Sequence, residues 1–162
     1  MISLIRCDDR LIHGQCMVRL VQHFKLNHII VIDDMTASNS ILKSIFEKSA
    51  MPGMKISVYT HENCKEGLVE ALSSKMSVMV VFRFPTTIKT IFDLVPELPK
   101  SVMIGPVQMR NGCKEIQLGT YLSQEEIEVV RHYVENEGID IHFQVIPDQK
   151  RLSWNNVKDK VS

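Results

Sequence analysis

The chain has 162 residues, of which 44% are hydrophobic and 23% charged, as is usual for one globular domain with a buried core. Lysine plus arginine and aspartate plus glutamate number 19 each, so no positive excess points to nucleic acid or an anionic membrane surface. No apolar run reaches the roughly 20 residues of a membrane span, and the first residues lack a secretion-signal pattern. We expect one cytoplasmic domain over residues 1–162, whose four scattered cysteines, without a C-x-x-C spacing, stay reduced.

Short apolar runs alternate with helical patterns along the chain. The predicted strands are Met1–Arg6, His28–Asp33, Lys55–Tyr59, Ser77–Phe82, Ser101–Ile104, Lys114–Leu118 and Asp140–Val145. The runs at 29–32 and 78–82 are apolar at every position, which is typical of strands buried on both faces of a parallel sheet.

Helical spacing lies between these strands. The predicted helices are His13–Phe24, Ser38–Ala50, Glu62–Ser73, Thr86–Val95 and a last one from Ser123 to near Gly138, which opens with a capping box to Glu126. The alternation predicts an open, mostly parallel α/β sheet of about seven strands with helices on both faces. The tail after Pro147 is polar and is expected to be less regular, with Trp154 holding it in place.

The most unusual segment runs from Arg6 to Gln15 and has the sequence R-C-D-D-R-L-I-H-G-Q. It follows the first predicted strand and precedes the first predicted helix, where open α/β sheets bind ligands and helix N–H groups favour anions. A neutral imidazole such as that of His13 is a nucleophile toward phosphorus, because its pKa lies near neutrality. The segment therefore predicts phosphoryl chemistry at His13.

Phosphoryl transfer needs in-line positioning and positive charge around the three equatorial oxygens. We predict that Arg6 and Arg10 bind the phosphoryl group through forked hydrogen bonds. Backbone N–H groups at Gly14 and Gln15 are predicted to add donors at the helix start.

One of the two aspartates, Asp8 or Asp9, is predicted to hold the second ring nitrogen of His13 and so fix its orientation. The alternative interpretation is structural: the Asp-Asp-Arg run is then a solvated turn with internal ion pairs, and His13 is only a helix cap. Spacing alone does not separate these two interpretations.

The segment resembles the R-I-D-D-R-L-I-H-G-Q signature of the mannose/sorbose-family IIB components of the bacterial phosphoenolpyruvate-dependent sugar phosphotransferase system. Only Cys7 departs from that signature. Further resemblance lies at 29–34 with Ala37, 50–55, 122–126 and 144–147. Two later loops depart from the family pattern: Phe84 stands where a small hydroxyl or amide residue is common, and Met103–Val107 replaces an N-x-G-G-M-like loop.

The resemblance implies that His13 accepts a phosphoryl group from a IIA domain and passes it to a sugar imported by the IIC and IID membrane components. The family's signature arginines fall on Arg6 and Arg10, and its aspartates on Asp8 and Asp9. It implies a protein-Nπ-phosphohistidine–sugar phosphotransferase with no cofactor and no metal. Association into a homodimer stays open.

The sequence allows four other interpretations. Thiol catalysis through Cys16 is disfavoured because Cys16 falls on an apolar helix face. A reactive thiol at Cys7 stays open, since electropositive loops favour low-pKa thiols. A metal site from Cys7, Asp8, Asp9 and His13 is opposed by the flanking arginines. A receiver-type regulator phosphorylated at Asp33-Asp34 would need an aspartate after the neighbouring strand, which ends instead in Arg83-Phe84-Pro85. A non-catalytic sensor of the same fold, phosphorylated at His13, stays open.

Overall fold

In a computed structural model, which describes all residues 1–162, the chain forms nine strands and seven α-helices. The strands are β1 (Ile2–Cys7), β2 (His28–Ile32), β3 (Lys55–Tyr59), β4 (Val78–Phe82), β5 (Ser101–Ile104), β6 (Lys114–Gln117), β7 (Thr120–Leu122), β8 (Asp140–Phe143) and β9 (Leu152–Ser153). The helices are α1 (Gly14–Phe24), α2 (Asp34–Ser38), α3 (Ser40–Lys48), α4 (Cys64–Ser73), α5 (Thr87–Leu94), α6 (Gln124–Glu135) and α7 (Trp154–Val157), followed by a 3-10 turn at Lys158–Lys160.

Seven strands form one sheet in the order β3-β2-β4-β1-β5-β8-β9, parallel except for the antiparallel edge strand β9. The predicted mostly parallel seven-stranded sheet is confirmed, but its membership differs. The predicted strand Lys114–Leu118 is wrong as a sheet member, because β6 pairs only with β7 in a separate hairpin. The seventh place is filled by β9, from the tail that the sequence indicated to be irregular.

The predicted helix Ser38–Ala50 is wrong as one helix, because the chain forms two. Asn39 adopts an extended conformation between α2 and α3, and its side-chain oxygen accepts from the N–H groups of Ile41 and Leu42. An N-cap residue has φ and ψ outside the helical region. Asn39 therefore ends the preceding helix where it caps the next one. The capping box of Ser123 with Glu126 is confirmed.

Helices cover both faces of the sheet, as predicted. The face packed by α1 carries Leu4, Val31, Val81 and Met103, and the opposite face packed by α4, α5 and α6 carries Ile5, Ile30, Val80 and Phe82. Successive strand residues alternate between the two cores, which explains the continuous apolar runs. Trp154 is buried, and its indole N–H donates to Glu135 at 3.0 Å, so it holds the tail as expected. None of the helices is both long and apolar enough to cross a membrane.

Candidate functional site

The loop between β1 and α1, residues 8–13, lies at the carboxyl edge of the sheet. Leu11 has a positive φ of 56° although it is not glycine, and Gly14 follows with a φ of 48°. A left-handed residue with a side chain costs roughly 1–2 kcal/mol. Leu11 is buried, and its N–H donates to the Asp8 carbonyl at 2.9 Å, which closes the turn. The turn places His13 in extended conformation at the N-cap of α1.

The His13 side chain is 22% exposed, and its Nδ1 lies 3.8 Å from Asp8 Oδ1. Both ring nitrogens are shielded from water and have no hydrogen-bond partner. This burial lowers the pKa of His13 below its ordinary value; Asp8 opposes the shift, and Arg10 and Arg6 add to it. The imidazole is therefore neutral at pH 7, which is its nucleophilic form.

Arg6 lies beneath this loop, with no exposed surface. Its Nη2 donates to Asp8 Oδ2 and to the Val145 carbonyl, both at 2.9 Å, and its Nη1 donates to the Gln144 carbonyl at 3.3 Å. The structure thus brings Arg6 to the site but places it behind Asp8, away from the surface where a phosphoryl group would arrive. Its guanidinium fixes the Asp8 carboxylate.

The two aspartates, which the sequence did not separate, have different positions. Asp8 is buried between Arg6 and His13. The Asp9 carboxylate turns away and accepts from the Gln108 N–H at 2.6 Å, while its own N–H donates to the Pro106 carbonyl. Asp8 is therefore the aspartate beside the imidazole, and Asp9 ties the loop to the segment after β5.

Arg10 lies on the outer side of the loop. Its side chain is 46% exposed, and its Nε is 4.0 Å from Asp8 Oδ1, beyond hydrogen-bond distance. Gly14 and Gln15 are exposed in the first turn of α1, where N–H groups have no acceptor within the helix. Arg10 and these two amides are the donors that the structure leaves available beside His13.

Two of the family departures lie close to this loop. The Gly105 N–H donates to the Cys7 carbonyl at 2.8 Å. A Cβ at Gly105 would lie 2.7 Å from Arg6 Cζ, so the closeness of the guanidinium requires glycine there. The guanidinium of Arg110 lies over the Phe84 ring, 4.4 Å from the ring centroid, in a cation–π contact.

Sequence reasoning gave Arg83 no role at the site. Its Nε and Nη2 donate to the two Asp33 carboxylate oxygens, each at 3.1 Å, and its Nη1 donates to the Asp9 carbonyl at 2.6 Å. Burial opposes ionisation of Asp33, but hydrogen bonds from Arg83 and Thr36 outweigh it and hold the Asp33 pKa below its ordinary value. The only available signal was an arginine directly after a parallel strand that ends at the same edge.

The surroundings of Cys7 oppose a reactive thiol at that position. Cys7 is fully buried, and its burial raises the thiol pKa well above the ordinary value. Cys16, which the helical pattern placed on the apolar face, is only partly buried.

Comparisons of the sequence and of the structure with known proteins point to the same family. The family model for the "PTS system sorbose subfamily IIB component" matches residues 2–161. The mannose-specific EIIAB component of Escherichia coli (strain K12) is 24% identical over 160 residues, which cover 99% of this chain and 49% of that protein, so the chain spans about half its length. The N-acetylgalactosamine-specific IIB component 1 of Escherichia coli (strain K12) is 26% identical over 151 residues, covering 92% of this chain and 94% of the relative.

Solved structures agree in fold. The structure of manxB from Thermoanaerobacter tengcongensis has a TM-score of 0.85 and 30% identity, and covers 99% of this chain and 96% of its own. The IIBSor domain of the sorbose permease from Klebsiella pneumoniae has a TM-score of 0.88 at 22% identity, with 99% and 98% covered. The chain therefore belongs to the sorbose-subfamily IIB components of the phosphotransferase system, a family that takes part in phosphoryl transfer during sugar uptake.

Proposed function

We propose that this protein is a cytoplasmic phosphocarrier in which His13 accepts a phosphoryl group from a IIA domain. It then transfers the group to a sugar imported by IIC and IID membrane components. The observation that carries the proposal is an imidazole at a helix N-terminus, flanked by the buried carboxylate of Asp8 and the half-exposed guanidinium of Arg10. Neither a metal nor a cofactor takes part in the proposed reaction.

The first step forms a bond between a ring nitrogen of His13 and phosphorus. The bond between phosphorus and its IIA donor atom breaks, and that atom keeps the electron pair. In the second step a sugar hydroxyl oxygen bonds to phosphorus, the N–P bond breaks, and its electron pair returns to the imidazole. The hydroxyl proton leaves to water or to a base of the membrane component.

Charge stabilisation comes from donors that face outward. Arg10 and the N–H groups of Gly14 and Gln15 would contact the equatorial oxygens, where charge is concentrated in the loose transition state. Arg6 contributes through Asp8, because its Nη1 and Nη2 groups donate to Asp8, the Met103 sulfur and backbone carbonyls, and its Nε is buried. Asp8 in turn stabilises the positive charge that a phosphorylated imidazole carries.

The shielded ring nitrogens of His13 require one movement before transfer. An unpaired buried polar atom costs roughly 1–3 kcal/mol, so turning the ring outward loses no hydrogen bond and restores solvation. No hydrogen bond therefore opposes a conformation in which one ring nitrogen meets the incoming phosphorus.

The test is phosphorylation with phosphoenolpyruvate, the general phosphotransferase proteins and a matching IIA domain. One phosphoryl group is expected, in a linkage labile to acid and stable to base, as a phosphoramidate is. The variant His13→Ala should take up no label. The matched control is His61→Ala, since His61 also lies beside a carboxylate, with Nδ1 3.0 Å from Asp34, and is partly exposed; it should be labelled like the wild type.

Two outcomes contradict parts of this proposal. Acid-labile label that persists in His13→Ala would show that another residue is the acceptor. Labelling of the wild type without onward transfer to any sugar would favour the non-catalytic sensor, with Phe84 and the Met103–Val107 segment as the first positions to examine.

A further inference from the structure

We propose that Arg83 is a positioning residue for phosphoryl transfer, which fixes the His13 loop by binding the Asp9 carbonyl while Asp33 holds its guanidinium. The kinetic part of this inference rests on the proposed function of His13. The structural part, that Arg83 holds residues 8–13 in one conformation, does not.

The contacts of Arg83 join the carboxyl ends of three strands. Arg83 follows β4, Asp33 follows β2, and Asp9 lies two residues after β1. The guanidinium binds Asp33 in the two-pronged geometry that fixes both its position and its plane. Its remaining Nη1 donor therefore points in a defined direction, and it meets the Asp9 carbonyl at 2.6 Å.

Asp33 is itself held rigidly. One of its oxygens accepts from the Thr36 N–H at 3.0 Å and from the Thr36 hydroxyl at 2.7 Å, as the N-cap of α2. The Asp33 N–H donates to the Tyr59 carbonyl at the end of β3. Arg83 is thus anchored to an element that does not belong to the His13 loop, which is what a clamp requires.

The loop needs such an anchor because it contains strain. Leu11 is left-handed, and strained backbone persists only where surrounding contacts over-determine it. Asp9 is the point at which those contacts meet: Arg83 binds its carbonyl, Gln108 its carboxylate and Pro106 its N–H. Asp8, with its contact to His13, is the neighbouring residue, so a shift of Asp9 moves the carboxylate beside the imidazole.

The kinetic test compares Arg83→Gln and Arg83→Lys with wild type in IIA-dependent phosphorylation of His13. A misplacement of about 1 Å lowers the transfer rate by up to roughly 100-fold. We expect kcat to fall about 10- to 100-fold in Arg83→Gln. We expect KM for the phosphorylated IIA domain to change by less than about 3-fold, because Arg83 adds no contact to the donor. Arg83→Lys keeps the positive charge but cannot form the two parallel hydrogen bonds to Asp33. Its kcat should therefore be little higher than that of Arg83→Gln.

A second readout does not depend on activity. Hydrogen exchange of the Arg10 and Leu11 amides, both bonded to Asp8, should become at least about 10-fold faster in Arg83→Gln while the strand amides keep their rates. Asp33→Asn should produce the same loop exchange, and combining it with Arg83→Gln should add little, since the two residues act as one unit.

The matched control is Arg110→Gln. Arg110 donates through both Nη groups to the two carboxylate oxygens of Glu126, and this pair is about as buried as that of Arg83 and Asp33. Arg110 donates no hydrogen bond to residues 8–13. It should leave kcat and loop exchange near wild type. Unchanged loop exchange in Arg83→Gln would overturn the inference. So would a change in KM without a fall in kcat, or an equal fall in kcat in Arg110→Gln. Failure of the wild type to be labelled on His13 would refute the proposed function, and loop exchange would still decide the role of Arg83.

Discussion

Removal of the Asp8 carboxylate should destabilise the protein strongly, because Asp8 is the only acidic partner of the buried Arg6 guanidinium. Breaking a buried ion pair from one side costs about 3–5 kcal/mol. Arg6 keeps the carbonyls of Gln144 and Val145 as acceptors in Asp8→Ala, which places the cost near the lower end, at about 3 kcal/mol. For a chain of this length, such a loss lowers Tm by roughly 6–12 °C.

The assay is urea unfolding at pH 7, followed by circular dichroism, with calorimetry for Tm. Asp140→Ala is the control, since it breaks the exposed pair with Arg151 and should cost less than about 1 kcal/mol. The double variant Arg6→Met with Asp8→Ala leaves no unpaired charge and should be more stable than Asp8→Ala alone. A loss below about 1 kcal/mol in Asp8→Ala, or a double variant whose loss equals the sum of its parts, would refute the reasoning.

Three further predictions concern the site and its support. Arg10→Lys should lower kcat for His13 phosphorylation about 10-fold or more with Tm unchanged, because the exposed fork is lost but the charge is kept; rates equal to wild type would remove Arg10 from the transition state. Gly105→Ala should cost roughly 1–3 kcal/mol in urea unfolding, because the new Cβ meets the anchored Arg6; a neutral effect would mean that the guanidinium can move. The labelling rate should decline as the pH falls, with a midpoint below 6.5, the ordinary pKa of histidine, since burial lowers the His13 pKa and only the neutral ring has a free lone pair; a midpoint at or above 6.5 would contradict this.

The sequence predicted the sheet and the site loop because both leave strong local signals. The apolar runs of β2 and β4 and the charged segment at 6–15 are visible without any knowledge of distant contacts. The division between α2 and α3 was also visible in principle, since Ser38-Asn39-Ser40 offers capping residues in succession. The tail strand β9 was not, because its two residues form a strand only through pairing with β8.

The placement of Arg6 could not be predicted from local pattern. Arginine is almost never fully buried unless it is paired, so an arginine at the end of a strand indicates an exposed, ligand-binding group. Its burial depends on Asp8 and on carbonyls 138 and 139 residues further along the chain. For the same reason the sequence could not show which aspartate, Asp8 or Asp9, lies beside His13. Gln108 and Arg83 contact Asp9 only after the sheet has formed.

The acceptors of Arg6 at Gln144 and Val145 also set the order in which the site can assemble during synthesis. The His13 loop is synthesised before β8 and the residues after it, because it precedes them in the chain. Until β8 pairs with β5, Arg6 lacks the Gln144 and Val145 carbonyls as acceptors. Its guanidinium is then not held in one position beside Asp8. A nascent chain or a fragment that stops before residue 144 therefore carries the full signature sequence but lacks the carbonyl contacts that hold Arg6 against Asp8.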